Sequence, residues 1–299
     1  MLNFIDPNVD RKDGLVKSHL ATNPINVGDF PTFSIVEFNI TELCNRTCSF
    51  CPRADPDVYP NRNEFLQLDL YEKIMRDLEQ LDYSGTILYS GFCEPFLHKQ
   101  LDQLIILSKK YCKKARVECV TNGDLVTVEK LRWLFDAGLD TLLISMYDGP
   151  EQEGHFRELS DQAGLREEQV ILRVRYLPPE QRFGLTLSNR AGMVTLGELG
   201  VTSLTEPLEE KCYYPYYIFM VDFDGVVLLC PHDWGKRLKA GNLMHQSVVD
   251  VWTGKPITFA RQRLSQANRQ FSPCNVCDVQ GTLMGEDHFE KWVAYQNTA

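Results

Sequence analysis

Seven of the ten cysteines in this 299-residue chain fall into two groups whose spacing could do chemistry. Cys44, Cys48 and Cys51 lie within eight residues, spaced by three and then two intervening residues. Three thiolates on one short loop can hold three corners of a metal centre and leave a fourth, protein-free corner for a small ligand. A zinc site is normally closed by four ligands, and no nearby Cys or His completes this one. The readings open on the triplet alone are therefore an iron–sulfur centre, a zinc site or three unrelated buried thiols. In the C-terminal third, Cys212 and Cys230 flank a hairpin pattern: Ile218 to Phe223, the turn Asp224-Gly225, then Val226 to Leu229. An Asp-Gly between such runs is a hairpin signal, and the hairpin brings the two thiols together. Cys274-Asn275-Val276-Cys277 adds a CxxC, so four cysteines can close a second site completely, around iron or as a tetrathiolate zinc knuckle.

The elements that must position these groups alternate. Phe33 to Ile40 reads as a strand, so the triplet lies on the loop leaving its end. A Pro-, Asn- and Asp-rich surface loop over 52–66 follows. Leu68 to Leu81 has helical apolar spacing at Leu70, Ile74, Met75, Leu78 and Leu81. Then come strand 86–90, helix 101–112, strand 115–120, helix 128–137 closed by Gly138, strand 141–146, a polar helical segment within 150–168, and strand 170–176. This alternation predicts an α/β fold of βα units on a parallel sheet, wound into a full or partial (β/α) barrel. Each polar motif lies just after a strand, where barrels of this type carry their sites. Helical pieces at 248–252 and 257–264 accompany the second cysteine set. The organisation expected is an irregular lead-in over 1–32, a barrel over 33–179, a turn-rich linker over 180–210 that lines the substrate cleft, and a small hairpin and helix unit over 211–299.

Composition bounds the function. Apolar content of 43% and charged content of 24% are ordinary for a globular chain, and the length allows about two domains. A net charge of −10 argues against a broad nucleic-acid footprint. No apolar run suits a signal peptide or a membrane span. Ten cysteines in such a chain suggest metal binding in a reducing compartment, the cytoplasm, rather than a disulfide framework.

The spacing of Cys44, Cys48 and Cys51, with Phe50 before the last, resembles the CxxxCxxC signature of the radical S-adenosylmethionine (SAM) superfamily. The resemblance implies a [4Fe-4S] cluster on these three cysteines and SAM chelated to its open iron. One electron then cleaves SAM to a 5′-deoxyadenosyl radical that abstracts a substrate hydrogen. Gly91-Phe92-Cys93-Glu94-Pro95 resembles the GGEP motif that contacts the SAM amino group, with Cys93 standing where the pattern has glycine. Thr121, Asn122 and Ser145 stand where the family places ribose and methionine contacts. Arg173 and Arg175 share one strand face, and one of them is suited to the SAM carboxylate. The order Cys212, Gly225, Cys230, Gly241-Asn242-Leu243, Trp252, CxxC resembles the SPASM/Twitch extension. With no cysteine after Cys277, it is similar to the shorter Twitch form, with one auxiliary [4Fe-4S] cluster on Cys212, Cys230, Cys274 and Cys277. The spacing is close to that of the Twitch dehydrogenases of butirosin biosynthesis, which oxidise a secondary alcohol on an aminocyclitol.

Three cysteines remain. Cys112 ends a helix and is expected to be a buried filler, whereas Cys93 or Cys119 is placed to give a hydrogen atom to a substrate radical. Oxidation of a carbinol carbon on a small polar substrate, a sugar or aminocyclitol, is the first reading, since a closed all-cysteine auxiliary site has no open iron for substrate. Epimerisation with a thiol donor is second. Modification of a ribosomal peptide is third, because 32 residues before the barrel are too few for a leader-binding domain. The resemblance also implies a one-electron reductant such as flavodoxin or ferredoxin. A non-catalytic iron–sulfur carrier and a zinc-stabilised binding module are the readings outside catalysis. His232-Asp233-Trp234 reads as a capped turn.

Overall fold

The computed structural model describes residues 6–22, 26–27 and 30–298. Eight strands form one sheet: β1 (Ile35–Phe38), β2 (Thr86–Tyr89), β3 (Arg116–Thr121), β4 (Thr141–Met146), β5 (Val170–Val174), β6 (Ile218–Val221), β7 (Val226–Leu228) and β8 (Lys239–Asn242). Their spatial order is β8-β7-β6-β1-β2-β3-β4-β5. From β6 through β5 every pairing is parallel, and β7 and β8 add an antiparallel edge. All four residues of β1 and all six of β4 are buried, as expected for parallel strands covered on both faces. Helices α2 (Leu68–Gln80), α3 (Leu101–Tyr111), α4 (Val128–Asp136) and α5 (Glu151–Ala163) return between strands, and each packs on the next. The α2 apolar stripe predicted from spacing is the face it buries, with Tyr71, Ile74, Met75 and Leu78.

Two features differ from the sequence reading. The hairpin is present, but its first strand belongs to the main sheet: β6 lies parallel to β1, with Ile218 opposite Ile35 and Val221 opposite Phe38. The C-terminal unit thus supplies the sixth parallel strand and places its cysteines beside the strand that feeds the first cysteine loop. Helices α6 (Val248–Trp252) and α7 (Lys255–Ser265) close that unit, and α8 (Glu286–Thr298) packs beside it.

The lead-in is not irregular. Asn8–Thr22 forms helix α1. Its prolines misled because Pro7 and Pro24 flank the helix, where proline is tolerated, rather than interrupting it. Residues 1–5, 23–25 and 28–29 of the lead-in lie outside the described residues. Apolar spacing in α1 is sparse because charge seats it. Arg11 donates two bonds (3.0 and 2.7 Å) to Glu118, whose side chain is buried on β3. Lys12 faces the cavity that also holds Glu37 of β1. Farther along α1, His19 bonds Ser34, just before β1, and Ser34 also bonds His288 of α8. The helix therefore runs over the sheet from the strands' C-terminal ends to their N-terminal ends, answers the buried Glu118 and brings Lys12 to the cavity that holds Glu37. Removing one partner of a buried ion pair typically costs ~3–5 kcal/mol, and Arg116, 2.6 Å from Glu118, limits the loss here to the lower end.

Candidate active site

A cavity of about 300 Å³ opens at the C-terminal ends of β1 to β5, and Cys44, Cys48 and Cys51 line it together. Side chains fasten their loop to the neighbouring strand ends. Arg46 donates from Nε to both Asp124 oxygens (2.9 and 2.8 Å) and from Nη1 and Nη2 to Asp148 (2.9 and 2.6 Å). Asp124 follows β3 and Asp148 follows β4. Asn45 bonds Asp124 (2.7 Å) and accepts from Asn122 (2.7 Å), while Asn61 accepts from the Cys44 N–H and donates to its carbonyl. Arg53 reaches the Phe92 carbonyl at 2.6 Å. Phe50 is buried between Tyr147 and Phe183 and lines the cavity.

Burial raises all three thiols, and at Cys48 the neighbouring Cys51 and Cys44 add to it, pushing it up to about 12. Crowded, buried thiols are stable as thiolates only beside a cation, which is the condition an iron centre supplies. The same cavity has six cationic side chains (Lys12, Arg46, Arg53, Arg173, Arg175 and Arg190) against two carboxylates, Glu37 and Glu94, in a chain of net charge −10. Among the described residues, Arg53 Nη2, Arg173 Nε and Arg190 Nε are buried without a partner. Unspent donors of this kind fit an anionic ligand group.

The GFCEP loop leaves β2. Gly91 takes φ +91°, and a Cβ there would press on Asn39 Cβ at 3.2 Å, so this position requires glycine. Cys93 is not in the left-handed region, so the loop accommodates it, and its thiol lies 3.5 Å from the Ser90 carbonyl on the cavity wall. Glu94 is buried and already engaged: Oε1 accepts from Phe96 N (2.9 Å) and Thr121 Oγ1 (2.8 Å), Oε2 from Asn122 N (2.7 Å). Burial nonetheless pushes its carboxyl up to about 7. Glu94 thus ties the β2 loop to the β3 turn. Thr121, Asn122 and Ser145 line the cavity, whereas Pro95 opens a short buried turn behind it.

Cys119 does not reach the cavity. Its strand neighbours Val120 and Thr121 do, while Cys119, deeper along β3, is fully buried in the core. Cys112 is a buried filler as expected. Arg173 and Arg175 share the cavity face, but Arg175 is already taken up by Asp6 and the Val174 and Gly184 carbonyls, while Arg173 keeps its free Nε. Sequence reasoning missed Lys12, Glu37, Arg190 and Tyr214. Of these only Glu37 left a signal, a lone charge inside an apolar strand. Arg190 and Leu185 bring the 180–210 segment to the cavity.

Cys212, Cys230, Cys274 and Cys277 line a second chamber, with Leu229, Leu264, Val279 and Arg269 among its walls. Burial together with the other three thiols pushes Cys230 well above the ordinary thiol range. A Cβ at Gly281 would lie 2.4 Å from Cys212 Sγ, so the chain closes on this thiol only because residue 281 is glycine. Among the described residues no set of three or more His, Cys, Asp or Glu closes on a single ion. A cubane does not ask for that, since each iron takes one thiolate. Tyr214 and His232 border both this chamber and the main cavity, their rings 4.8 Å apart and edge-on. Asp233 is a cap, accepting from Arg237 N (3.0 Å) and Leu238 N (2.9 Å). No described helix is long and apolar enough to cross a membrane.

Comparison with known proteins agrees with this geometry. Residues 38–177 match the radical SAM superfamily and residues 212–278 the SPASM iron–sulfur cluster-binding domain. The chain is 31% identical over 255 residues to the S-adenosyl-L-methionine-dependent 2-deoxy-scyllo-inosamine dehydrogenase of Niallia circulans, covering 83% of this chain and 95% of that protein. It is 27% identical over 312 residues to the tungsten-containing aldehyde ferredoxin oxidoreductase cofactor-modifying protein of Pyrococcus furiosus, covering 80% and 86%. The solved structure of BtrN in complex with AdoMet and 2-DOIA superposes with a TM-score of 0.69 at 27% identity, over 85% of this chain and 96% of that one. The anSMEcpe structure with bound AdoMet, at TM-score 0.53 and 12% identity over 89% and 98%, shares the fold. The three-thiol cavity, the four-thiol chamber and these relationships together mean that the chain belongs to the radical SAM superfamily, as an oxidoreductase using SAM, a SAM-binding [4Fe-4S] cluster and an auxiliary one.

Proposed function

We propose that this enzyme oxidises a carbinol carbon of an aminocyclitol or a related amino sugar to the ketone. The observation that carries the reading is that Tyr214 and His232 line both the three-thiol cavity and the four-thiol chamber. A substrate held at that wall has hydrogen abstraction on one side and an electron acceptor on the other. When bound, SAM and its cluster supply the 5′-deoxyadenosyl radical, and the auxiliary cluster supplies the acceptor. With SAM and both clusters bound, the oxidation would balance: the carbinol hydrogen would pass to the deoxyadenosyl group, the hydroxyl proton to water and one electron to the auxiliary centre.

The chain's own groups have separable tasks. Cys44, Cys48 and Cys51 hold the first cluster, and Cys212, Cys230, Cys274 and Cys277 the second. Arg173, with its free Nε, takes the SAM carboxylate. The backbone at Gly91 to Glu94 faces the SAM ammonium, and Thr121, Asn122 and Ser145 its ribose and methionine parts. Glu37, buried on β1 with its carboxyl raised by burial, is the anion available to a substrate ammonium. The similarity to a 2-deoxy-scyllo-inosamine dehydrogenase supports an amino-substituted ring. Flavodoxin or ferredoxin is the reductant we assign, and the reducing cytoplasm, suited to ten free thiols, the compartment. Cys93 supports a second reading: burial keeps its thiol protonated on the cavity wall, as a hydrogen donor for epimerisation must be.

The test is anaerobic reconstitution of the wild type and a Cys44/Cys48/Cys51→Ala variant, followed by turnover with 2-deoxy-scyllo-inosamine deuterated at its carbinol carbons. About eight irons in the wild type and about four in the variant are expected. Deuterium should enter 5′-deoxyadenosine as a ketone forms. SAM cleavage without deuterium transfer from any aminocyclitol would sink the substrate assignment. Solvent deuterium in recovered alcohol, lost in Cys93→Ala, would establish the epimerase instead.

A further inference from the structure

Arg269 is a fully buried guanidinium on the wall of the four-cysteine chamber. Its Nε donates to the Glu210 carbonyl, Nη2 to the Lys211 carbonyl and Nη1 to the Val279 carbonyl, each at 2.9 Å. Glu210 and Lys211 lead into Cys212, and Val279 follows Cys277 by two residues. The side chain thus staples the two segments that carry the first and last thiols. Among the described residues no carboxylate pairs with it, because all its bonds go to neutral carbonyls. Its charge is close enough to act on the Cys212, Cys274 and Cys277 thiols.

The other buried arginine of this unit differs. Arg261 is stacked between Trp252 and Trp292 at 3.7 and 4.0 Å and does not border the chamber. Arg46, beside the first cysteine loop, is answered by two carboxylates. Arg269 is therefore the buried cation of the C-terminal unit whose charge is left uncompensated beside the four cysteines.

We infer that Arg269 is a positioning residue that sets the reduction potential of the auxiliary cluster, holding it high enough to take the electron released by substrate. A cluster held by four thiolates is anionic and becomes more so on reduction. A fixed positive charge in a dry wall stabilises the reduced form more than the oxidised one. The inference rests on the dehydrogenase reading for its purpose, but its measurement needs no substrate, so either can fail without the other.

The experiment is an EPR-monitored redox titration of the reconstituted holoenzyme, with the auxiliary signal recognised by its insensitivity to added SAM. The wild type is compared with Arg269→Met, Arg269→Gln and Arg269→Lys. At a potential where the wild-type auxiliary cluster is half reduced, Arg269→Met should lower the reduced-to-oxidised ratio at least about tenfold, ~59 mV for one electron. Arg269→Lys, which keeps the charge and loses part of the staple, should stay near wild type in potential even where its iron content falls. An unchanged potential in Arg269→Met, or a shift in Arg269→Lys as large as in Arg269→Met, overturns the inference. Should Arg269→Met not hold its auxiliary cluster, Arg269→Gln, which keeps amide donors for the same carbonyls, is read by the same criteria.

Discussion

The Cys44–Cys51 loop and the four-cysteine chamber lie on either side of Tyr214 and His232, and they are assembled in opposite ways. The first takes three thiols from eight consecutive residues, leaves all three partly exposed, and holds its shape through ion pairs and amide bonds to adjacent strand ends. The second gathers four thiols from a span of chain between 212 and 277. It buries Cys274 and Cys277, and holds its shape with backbone bonds, Gly281 and the Arg269 staple. An open site must let a cofactor and a substrate enter, so it can be local and polar. A closed site must exclude both, so it has to be built from distant segments folded tightly together. The contrast assigns chemistry to the first and electron storage to the second.

Removing one thiol of the four-cysteine chamber should break the comparison most severely. Cys230→Ala should reduce ketone formation at least about a hundredfold, because the substrate electron loses its acceptor. SAM cleavage at the first site should stay within about threefold of wild type, since no auxiliary thiol borders the main cavity. Product analysis and 5′-deoxyadenosine release on the same samples separate the two. Undiminished ketone formation would mean that the chamber is structural and the electron leaves by another route.

A second expectation concerns Glu94, the buried carboxylate that ties two strand-end loops of the first site together. Its carboxyl is raised from about 4.5 to about 7 in the fold. Between those values the folded chain holds a proton that the unfolded chain has released. Stability should therefore fall as pH rises from about 4.5 to about 7 and level off above, by on the order of 2–3 kcal/mol from this group. Glu94→Gln should remove that slope. It should also sit ~1 kcal/mol lower at pH 5, where one of the three donated bonds is lost. Denaturant unfolding of both chains from pH 5 to pH 8 decides it, and parallel curves would show that Glu94 is ionised throughout.

Much of this was legible before any coordinates. The alternation of strands and helices, the cysteine loop at a strand end, the hairpin and the CxxC all follow from local patterns, and local patterns survive into the fold. What was hidden depends on partners far away in sequence. Helix α1 has too few apolar residues to announce itself, because Glu118 and the β1 region supply its seat from elsewhere. The C-terminal hairpin gives no sign that β6 will pair with β1, since an apolar strand reads alike beside either neighbour. Arg173 and Arg175 are indistinguishable by alternation; Asp6, more than 160 residues upstream, lies near both, but it hydrogen-bonds Arg175, which the Val174 and Gly184 carbonyls also take up, and is 3.7 Å from Arg173. Cys119, two residues before Thr121, suits the core or the cavity mouth by sequence alone, and its full burial in the core cluster is what keeps it from the cavity.

The smallest effect, and the one that sharpens the contrast most, concerns Arg46. Its bonds to Asp124 and Asp148 are charge-assisted, but all three side chains are partly exposed, Asp148 to 55%. Screening reduces their joint worth to ~1–2 kcal/mol. Arg46→Leu should lower the unfolding free energy by that amount and slow SAM cleavage several-fold, as the loop loses its ties to the β3 and β4 turns. The potential of the SAM-binding cluster should move less than that of the auxiliary cluster does in Arg269→Met, because removing Arg46 leaves Asp124 and Asp148 to rehydrate rather than exposing a cluster to a missing charge. The same EPR titration applied to both variants measures this directly. If Arg46→Leu shifts its cluster as far as Arg269→Met shifts the other, compensation by carboxylates is not what separates the two sites. The distinction between a cation that ties a loop and a cation that tunes a cluster would then have to be abandoned.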